Sequence, residues 1–325
     1  MTLLDRDRAK GMIFGLALGD ALGWPVEFMA RPEILAKYGR GGIQAPPDPA
    51  LYTDDTQMTA AVAEALIEAG QHDLDVLMGA VARQFIGWKR DPITPTRAPG
   101  ATSIRGVNAL ERGAPWREAG VRDSKGCGGC MRVAPVGYLY QYEPGRMQTV
   151  ARAQGVLTHR HPTSDAACMA AAYLIKLALE NVDPAEFPVR VLKFVGGAAP
   201  EFDAALERVT EAQTWTDIEA ALGHIGPTRG GGWIAEEAVG MALYCVMRHP
   251  TDLVAAVQLG ANISGDSDSV ASIAGGIMGA RLGTKAIPPD WLARLENRDY
   301  LQGLAERLAA KKAEMVAAAA KAALT

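Results

Sequence analysis

A chain of 325 residues is long enough to bury a sizeable core as one large domain or two, and 49% apolar with 22% charged residues is ordinary globular composition. A formal net charge of −4 gives no basic footprint, which excludes a stable electrostatic grip on nucleic acid but not a nucleotide-sized ligand. Four cysteines, Cys127, Cys130, Cys168 and Cys245, are too few to build a fold of this size on disulfides. No segment approaches the ~20 uninterrupted apolar residues of a membrane span. The start, MTLLDRDRAKGMIFGLALGDALG, has no separable apolar core with a cleavage site. A cytoplasmic protein without a membrane partner is expected, as a monomer or a small homo-oligomer.

The first predicted element is a helix over residues 5–23. It carries Gly11, Gly15, Gly19 and Gly23 at a spacing of four, which forms one smooth stripe. Each helical glycine costs about 1 kcal/mol against alanine, so close packing of another backbone must compensate. Asp20 lies on a neighbouring face, and Glu27 follows the break at Trp24-Pro25; locally, Glu27 reads equally well as a solvated loop acid. Residues 31–52 are rich in Pro and Gly and read as irregular. Thr53 is then a good N-cap, and Asp54 and Asp55 suit the positive end of the helix that follows. Capping accounts for either acid alone. Adjacent residues project about 100° apart on a helix, so one of the two must face a wall or a cavity. Another helix runs from about Leu74 to Lys89. The proline-rich stretch Arg90–Gly100 reads as a loop, not a domain linker, because amphipathic pattern resumes on both sides.

Residues 123–137, DSKGCGGCMRVAPVG, form a second unusual loop. Gly126, Gly128 and Gly129 can bare backbone N–H groups, the way a diphosphate is commonly held. Cys127-x-x-Cys130 is a single pair without a second pair or spaced histidines, thin support for zinc or redox chemistry. His159-Arg160-His161-Pro162 precedes an alanine-rich buried helix over Ser164–Leu179, which puts His159 near a helix start, where a hydrogen-bonding or capping role is more common than catalysis. Helical pattern continues from Pro184 to His224, and the glycine loop Arg229–Trp233 opens a helix over about Ile234–Met247. In the stretch Asn262–Gly276, Asp266 and Asp268 are two apart and share no helix face, so Asp-Ser-Asp reads as a loop, with Ser267 or Ser269 capping the next helix. Such a turn can aim both carboxylates at one cation; an Asp/Ser-rich helix start without one is the commoner reading of these residues alone. Gly275, Gly276, Gly279 and Gly283 make a second small-residue stripe. The tail from about 299 to 324, rich in Ala, Lys and Glu, reads as an exposed terminal helix. With no strand of period two and no internal repeat, the fold class is all-α.

The chemistry that stands out is a set of carboxylates and hydroxyls: Thr53, Asp54, Asp55, Asp266, Asp268 and Ser269. These are hard oxygen donors, suited to Mg²⁺ or Mn²⁺ over zinc or copper. Four carboxylates gathered without cations would repel each other, so their clustering implies metal, one ion or two.

Five segments, GLALGDALGWPVEF (15–28), TDDTQM (53–58), GCGGCMRVAPVG (126–137), THRHP (158–162) and SGDSDSVASIAGGIMGARLG (264–283), together resemble the ADP-ribosylglycohydrolase family, in that family's order over most of the chain. The resemblance implies a single domain over 1–325, a compact orthogonal all-α bundle with a central dinuclear cleft holding two Mg²⁺ or Mn²⁺ ions. Thr53, Asp54, Asp55, Asp266, Asp268 and Ser269 would be ligands, with Asp268 bridging. Glu27 falls on the family's acid after Gly-Asp, which engages the metal site or the ribose. Gly126, Cys127, Gly128, Gly129, Cys130 and Met131 would wrap the diphosphate and distal ribose, and His159 would line the cleft. The implied partners are ADP-ribose and an ADP-ribosylated acceptor, a protein side chain or nucleic acid. The implied activity is metal-dependent hydrolysis of the glycosidic bond between them, with Glu27, Asp54 and Asp266 as candidate bases. Three positions depart from the pattern: Cys127 replaces an amide, Ser264 replaces a second glycine, and Arg97–Thr102 lacks the acid of arginine-directed members. Two other readings stay open: hydrolysis of a free nucleotide-like glycoside, and a non-catalytic crystallin-like binding relative. The second should have lost metal ligands, and all six expected positions are acceptable here.

Overall fold

The computed structural model describes residues 3–91 and 95–322. Pro92, Ile93 and Thr94 of the expected Arg90–Gly100 loop, and the last residues of the tail, lie outside them. The chain opens with α1 (Leu3–Gly23), which stops in a short 3-10 turn at Trp24–Val26. α2 (Arg31–Tyr38) stands where the sequence reads as irregular: Pro32 occupies the first turn, where a missing N–H costs nothing, and Glu33 accepts from Ala30 N–H at 2.8 Å. α3 (Asp54–Ala69) is capped by Thr53, as expected, and α4 (Leu74–Arg90) by Asp73. α5 (Ala101–Glu111), α6 (Trp116–Ala119), β1 (Val121–Arg122), α7 (Ala134–Leu139), α8 (Pro144–Val156) and β2 (His159–Arg160) follow. The second half comprises α9 (Pro162–Leu179), α10 (Phe187–Val195), α11 (Pro200–Ala212), α12 (Ile218–Ile225), α13 (Ala235–Arg248), α14 (Leu253–Ala261), α15 (Ser267–Leu282), α16 (Pro289–Arg294) and α17 (Arg298–Ala322). Among the described residues the fold is all-α apart from β1 and β2, which pair in parallel with Val121 opposite His159. Among the described residues, no single helix is long and apolar enough to cross a membrane.

The centre of the molecule is the pair α1 and α15, its most extensive helix–helix contact. The two glycine stripes meet each other. A Cβ on Gly15 would overlap Gly275 O, and one on Gly11 would overlap Gly279 O; the reverse substitutions collide in the same way. One turn further, Gly19 lies against the Ala271 carbonyl and Gly23 against the backbone of Asp268. The backbones therefore touch along the whole pair, and the packing gained offsets the helix-propensity cost of the glycines. This contact also fixes two acid-bearing helix ends. It brings the C-terminus of α1, with Asp20 and Glu27, beside the N-terminus of α15, with Asp266 and Asp268.

The terminal helix departs from expectation. α17 packs on α1 and α3 and buries Leu301, Leu304, Ala305, Leu308, Ala309, Lys311 and Lys312. Only its last turns, from Val316 onward, are exposed as expected for the whole tail. The alanine-rich composition hid a short apolar stripe at three and four spacing.

Candidate metal and ligand site

Asp20 organises the first half of the site. It is fully buried, and its carboxylate accepts from Thr53 N–H at 2.9 Å, Thr56 N–H at 3.0 Å and the Thr56 hydroxyl at 2.6 Å. Orphan donors at the start of α3 are thus satisfied from α1, not only by their own cap. Burial raises the Asp20 carboxyl to about 6, against the lowering effect of those hydrogen bonds. Asp20 is not among the site residues that the sequence motifs point to. An acid inside an otherwise apolar, glycine-striped helix was the signal that could have found it.

Held this way, α3 presents Asp54 and Asp55 to a cavity of about 330 Å³. Asp54 Oδ2 accepts from Gly100 N–H at 3.3 Å, and Asp54 N–H donates to Arg97 O at 3.0 Å, so the 97–100 loop closes over it. Arg97 is in turn tied to Glu296 at 2.9 Å. Asp55 Oδ2 lies 3.4 Å from Ser269 Oγ, and Asp55 Oδ1 is buried without any hydrogen-bond partner. Thr53 does not line the cavity; its hydroxyl stands behind, accepting from Asp55 N–H at 3.4 Å.

The second half comes from α15. The cap is Asp266, whose carboxylate accepts from Ser269 N–H at 3.4 Å, and not Ser267 or Ser269 as the sequence suggests. Ser267 instead donates to Gly23 O at 3.0 Å, and Asp268 and Ser269 sit in the first helical turn. Gly265, at φ +130°, allows the chain to pass the Gly230-Gly231 backbone, where a Cβ would clash. Asp266 N–H then bonds Gly231 O at 2.9 Å, and Phe28 N–H bonds Gly265 O at 2.6 Å, which holds Glu27 next to this turn. Carboxylate oxygens of Glu27, Asp266 and Asp268 all lie within 4.8 Å of one another.

Five carboxylates, Glu27, Asp54, Asp55, Asp266 and Asp268, line this one cavity. Burial raises the pKa of each, and the negative neighbours raise Glu27, Asp54, Asp55 and Asp268 further; Glu27 reaches about 7. Hydrogen bonds from Asp268, Cys127 and Ser269 oppose the rise at Asp266. The arrangement fits a divalent cation: hard donors converge, and a buried carboxylate oxygen on Asp55 is left for a ligand.

The opposite wall is the 126–131 loop. Gly126, Cys127, Gly128 and Met131 line the cavity with His159, whereas Gly129 and Cys130 turn to the core. A Cβ on Gly129 would meet Cys168 Sγ at 2.8 Å, and the Cys130 thiol donates to Cys127 O at 3.1 Å. The glycines serve proximity here: a Cβ on Gly128 would stand 2.6 Å from His159 Cε1. The Cys127 N–H is spent on Trp233 O at 3.0 Å, which docks the loop on the Arg229–Trp233 turn. His159 is not a helix cap; His161 caps α9, accepting from Thr163 N–H at 3.1 Å. His159 lies on β2, and its Nδ1 is 2.8 Å from Thr158 Oγ1. Behind Thr158 lies Arg132, fully buried, bonded to Gln154 and Thr158 at 2.8 Å and stacked on the Phe85 ring at 4.5 Å. Burial and then the Arg132 charge lower His159 to about 3, so its ring is neutral. At the mouth stand Phe28 and Trp233, 59% and 43% exposed, which sequence reading did not single out.

Comparison with known proteins places this architecture. A family model described as ADP-ribosylglycohydrolase matches residues 1–317. A protein of Archaeoglobus fulgidus without assigned function is 30% identical, over 93% of this chain and 96% of its own. The ADP-ribosyl-[dinitrogen reductase] glycohydrolase of Rhodospirillum rubrum is 28% identical, over 89% and 90%. A solved structure titled an ADP-ribosylglycohydrolase-related protein complex superposes with a TM-score of 0.74 at 26% identity, covering 95% of this chain and 99% of that one. With the match running through both glycine-striped helices and the acids they deliver, the chain belongs to the ADP-ribosylglycohydrolase family.

Proposed function

We propose that this protein is a magnesium- or manganese-dependent hydrolase that cleaves the bond between the anomeric ribose carbon of ADP-ribose and an acceptor atom, releasing ADP-ribose. The observation that carries the proposal is the cavity with five carboxylates, one of which, Asp55, keeps a buried oxygen without any partner. Asp54, Asp55, Asp266, Asp268 and Ser269 would hold the cations, with Thr53 supporting the set through Asp55. Bound cations supply charge neutralisation, orientation of the ribose hydroxyls and a lowered pKa for water.

The chain's own residues divide the remaining work. Asp54 has an oxygen engaged by the Gly100 N–H, and Asp266 is engaged by Ser269 N–H and by the Cys127 thiol at 3.2 Å. Glu27 is half-buried at the cavity edge, and its carboxylate makes no hydrogen bond among the described residues. Of the three candidate bases, Glu27 is therefore the one free to take a proton from the attacking water and return it to the leaving acceptor atom. The Gly126–Gly128 turn and the neutral His159 ring face the diphosphate. Phe28 and Trp233 offer stacking faces for the base or the acceptor. Arg97–Thr102 carries no carboxylate where arginine-directed members of the family have an acid, and this departure weighs against an arginine acceptor.

The test is calorimetric titration of ADP-ribose with and without Mg²⁺, paired with a release assay on arginine-, serine- and nucleic-acid-linked ADP-ribose. Cation-dependent binding and release from at least one substrate are expected. Equal binding in chelator and in Mg²⁺, with no release, would overturn the proposal.

A further inference from the structure

The loop that faces the acids brings a sulfur into them. Cys127 Sγ lies 3.2 Å from Asp266 Oδ2 and 3.6 Å from Ser269 Oγ, and Ser269 Oγ lies 3.4 Å from Asp55 Oδ2. Two donors on one ion, at ~2.3 Å for sulfur and ~2.1 Å for oxygen, stand about 3.1–3.6 Å apart between right-angle and tetrahedral geometry. All three separations fall in that span. Cys130, the other half of the Cys-x-x-Cys pair, takes no part: its thiol is buried and points at backbone carbonyls. Asp55, only 2% exposed, adds an oxygen in the same cavity that no protein group satisfies.

We propose that Cys127, Asp55, Asp266 and Ser269 form a mixed sulfur–oxygen site that takes a thiophilic divalent cation, such as Zn²⁺, Co²⁺ or Cd²⁺, at one position of the metal cleft. The inference rests on the proposed cation-dependent reading of this cavity and adds a choice of metal to it. A carboxylate-only set favours Mg²⁺ and Mn²⁺, whereas one thiolate tips affinity toward softer ions. Binding forms the metal–sulfur bond and releases the thiol proton to buffer, with no change of oxidation state. Either the soft ion supports turnover or it displaces the hard one and inhibits; in both cases Cys127 sets the response.

The experiment titrates chelator-treated protein with Co²⁺ and, separately, Cd²⁺, and follows the ultraviolet thiolate-to-metal charge-transfer absorption of each ion. A band that saturates at one thiolate per chain is expected in the wild type. It is lost in Cys127→Ser and in Cys127→Asn, and kept in Cys130→Ser. Affinity for Cd²⁺ falls by about tenfold or more relative to affinity for Mg²⁺ in the Cys127 variants. Absence of the band in the wild type, or its loss in Cys130→Ser with retention in both Cys127 variants, would overturn the inference. Mg²⁺-supported ADP-ribose release by the same wild-type preparation keeps the two readings separate. If release occurs and no band appears, only the thiolate site fails; circular dichroism of each variant confirms that it is folded.

Discussion

Asp20 and Thr56 meet at 2.6 Å across the joint between α1 and α3, with no solvent at either side chain. The same carboxylate takes the N–H groups of Thr53 and Thr56, so a single acid on the glycine-striped helix sets where Asp54 and Asp55 begin their helix. Asp20→Ala leaves two amides and a hydroxyl buried without an acceptor. Denaturant unfolding should show a loss of roughly 2–4 kcal/mol, and release activity should fall with it as the two acids shift. Asp20→Asn keeps one acceptor oxygen and should cost less than the alanine variant. Equal stability of Asp20→Ala and the wild type would remove Asp20 from this role.

The glycine stripes give a paired test. Gly15→Ala and Gly275→Ala each drive a methyl group into a facing backbone carbonyl, which neither helix can move without parting from the other. Each is expected to lose about 3 kcal/mol or more, at the upper end of overpacking costs, because backbone yields less than side chain. Gly303→Ala, inside α17 with nothing within 4 Å of the new methyl, should gain about 0.5–1 kcal/mol from helix propensity. Thermal melts of the three variants check both signs at once.

Much of this was legible from local pattern. The Thr53 cap, the adjacency of Asp54 and Asp55, and the two four-residue glycine spacings are properties of short segments, and each appears in the structure where the sequence puts it. What was hidden depends on groups far apart in the chain. Asp20 finds its donors more than thirty residues downstream, which no local spacing records. His159 reads as a hydrogen-bonding or capping residue near a helix start; it does bond Thr158, but His161 takes the cap and Val121 draws His159 into a strand pair. α2 hides in a Pro/Gly-rich stretch because Pro32 falls at the one turn that tolerates it.

The tail illustrates the same limit and reverses an expectation. On composition, ending the chain after Asp299 should leave turnover largely intact. The structure buries Leu301, Leu304 and Leu308 on α1 and α3, at about 1.5–3 kcal/mol each. The Lys312 ammonium also lies buried, donating to Gln141 Oε1 at 2.5 Å. A chain ending at Asp299 should therefore lose most of its stability and its activity, whereas one ending at Met315 should keep both. Comparing melting temperature and release rate for the two truncations decides between composition and packing.

The acids make cation-free stability depend on pH in a direction that can be worked out. Asp20 sits at about 6 and Glu27 at about 7, and Asp54, Asp55 and Asp268 are raised as well, above the ~4 of an unfolded carboxyl. Between roughly pH 4 and 7 the folded chain then binds more protons than the unfolded one, so this contribution falls as pH rises. In chelator, the melting temperature should drop from about pH 5 to about pH 8, and added Mg²⁺ should restore it most at the alkaline end. A melting temperature in chelator that climbs through that window would contradict the clustering of these acids.

The last prediction concerns the buried arginine behind the cavity. Arg132 Nη2 donates to Thr158 Oγ1 at 2.8 Å, which uses a lone pair of that hydroxyl. We predict that its single hydrogen goes to His159 Nδ1, the shorter contact at 2.8 Å, and not to Gly155 O at 3.4 Å. With Nδ1 accepting, the neutral ring carries its proton on Nε2, the nitrogen beside Gly126 in the cavity. On the proposed function, Arg132 and Thr158 would be positioning residues that keep His159 a hydrogen-bond donor toward the cavity. Thr158→Val removes the relay and permits the other tautomer. One neutral hydrogen bond is worth about 0.5–1.5 kcal/mol, so KM should rise roughly three- to tenfold with a smaller change in kcat. Thr158→Ser should behave as the wild type. Long-range proton–nitrogen correlation spectra of the histidine rings report the tautomer directly. A His159 signal unchanged in Thr158→Val would mean that the ligand pocket, not the arginine, selects it.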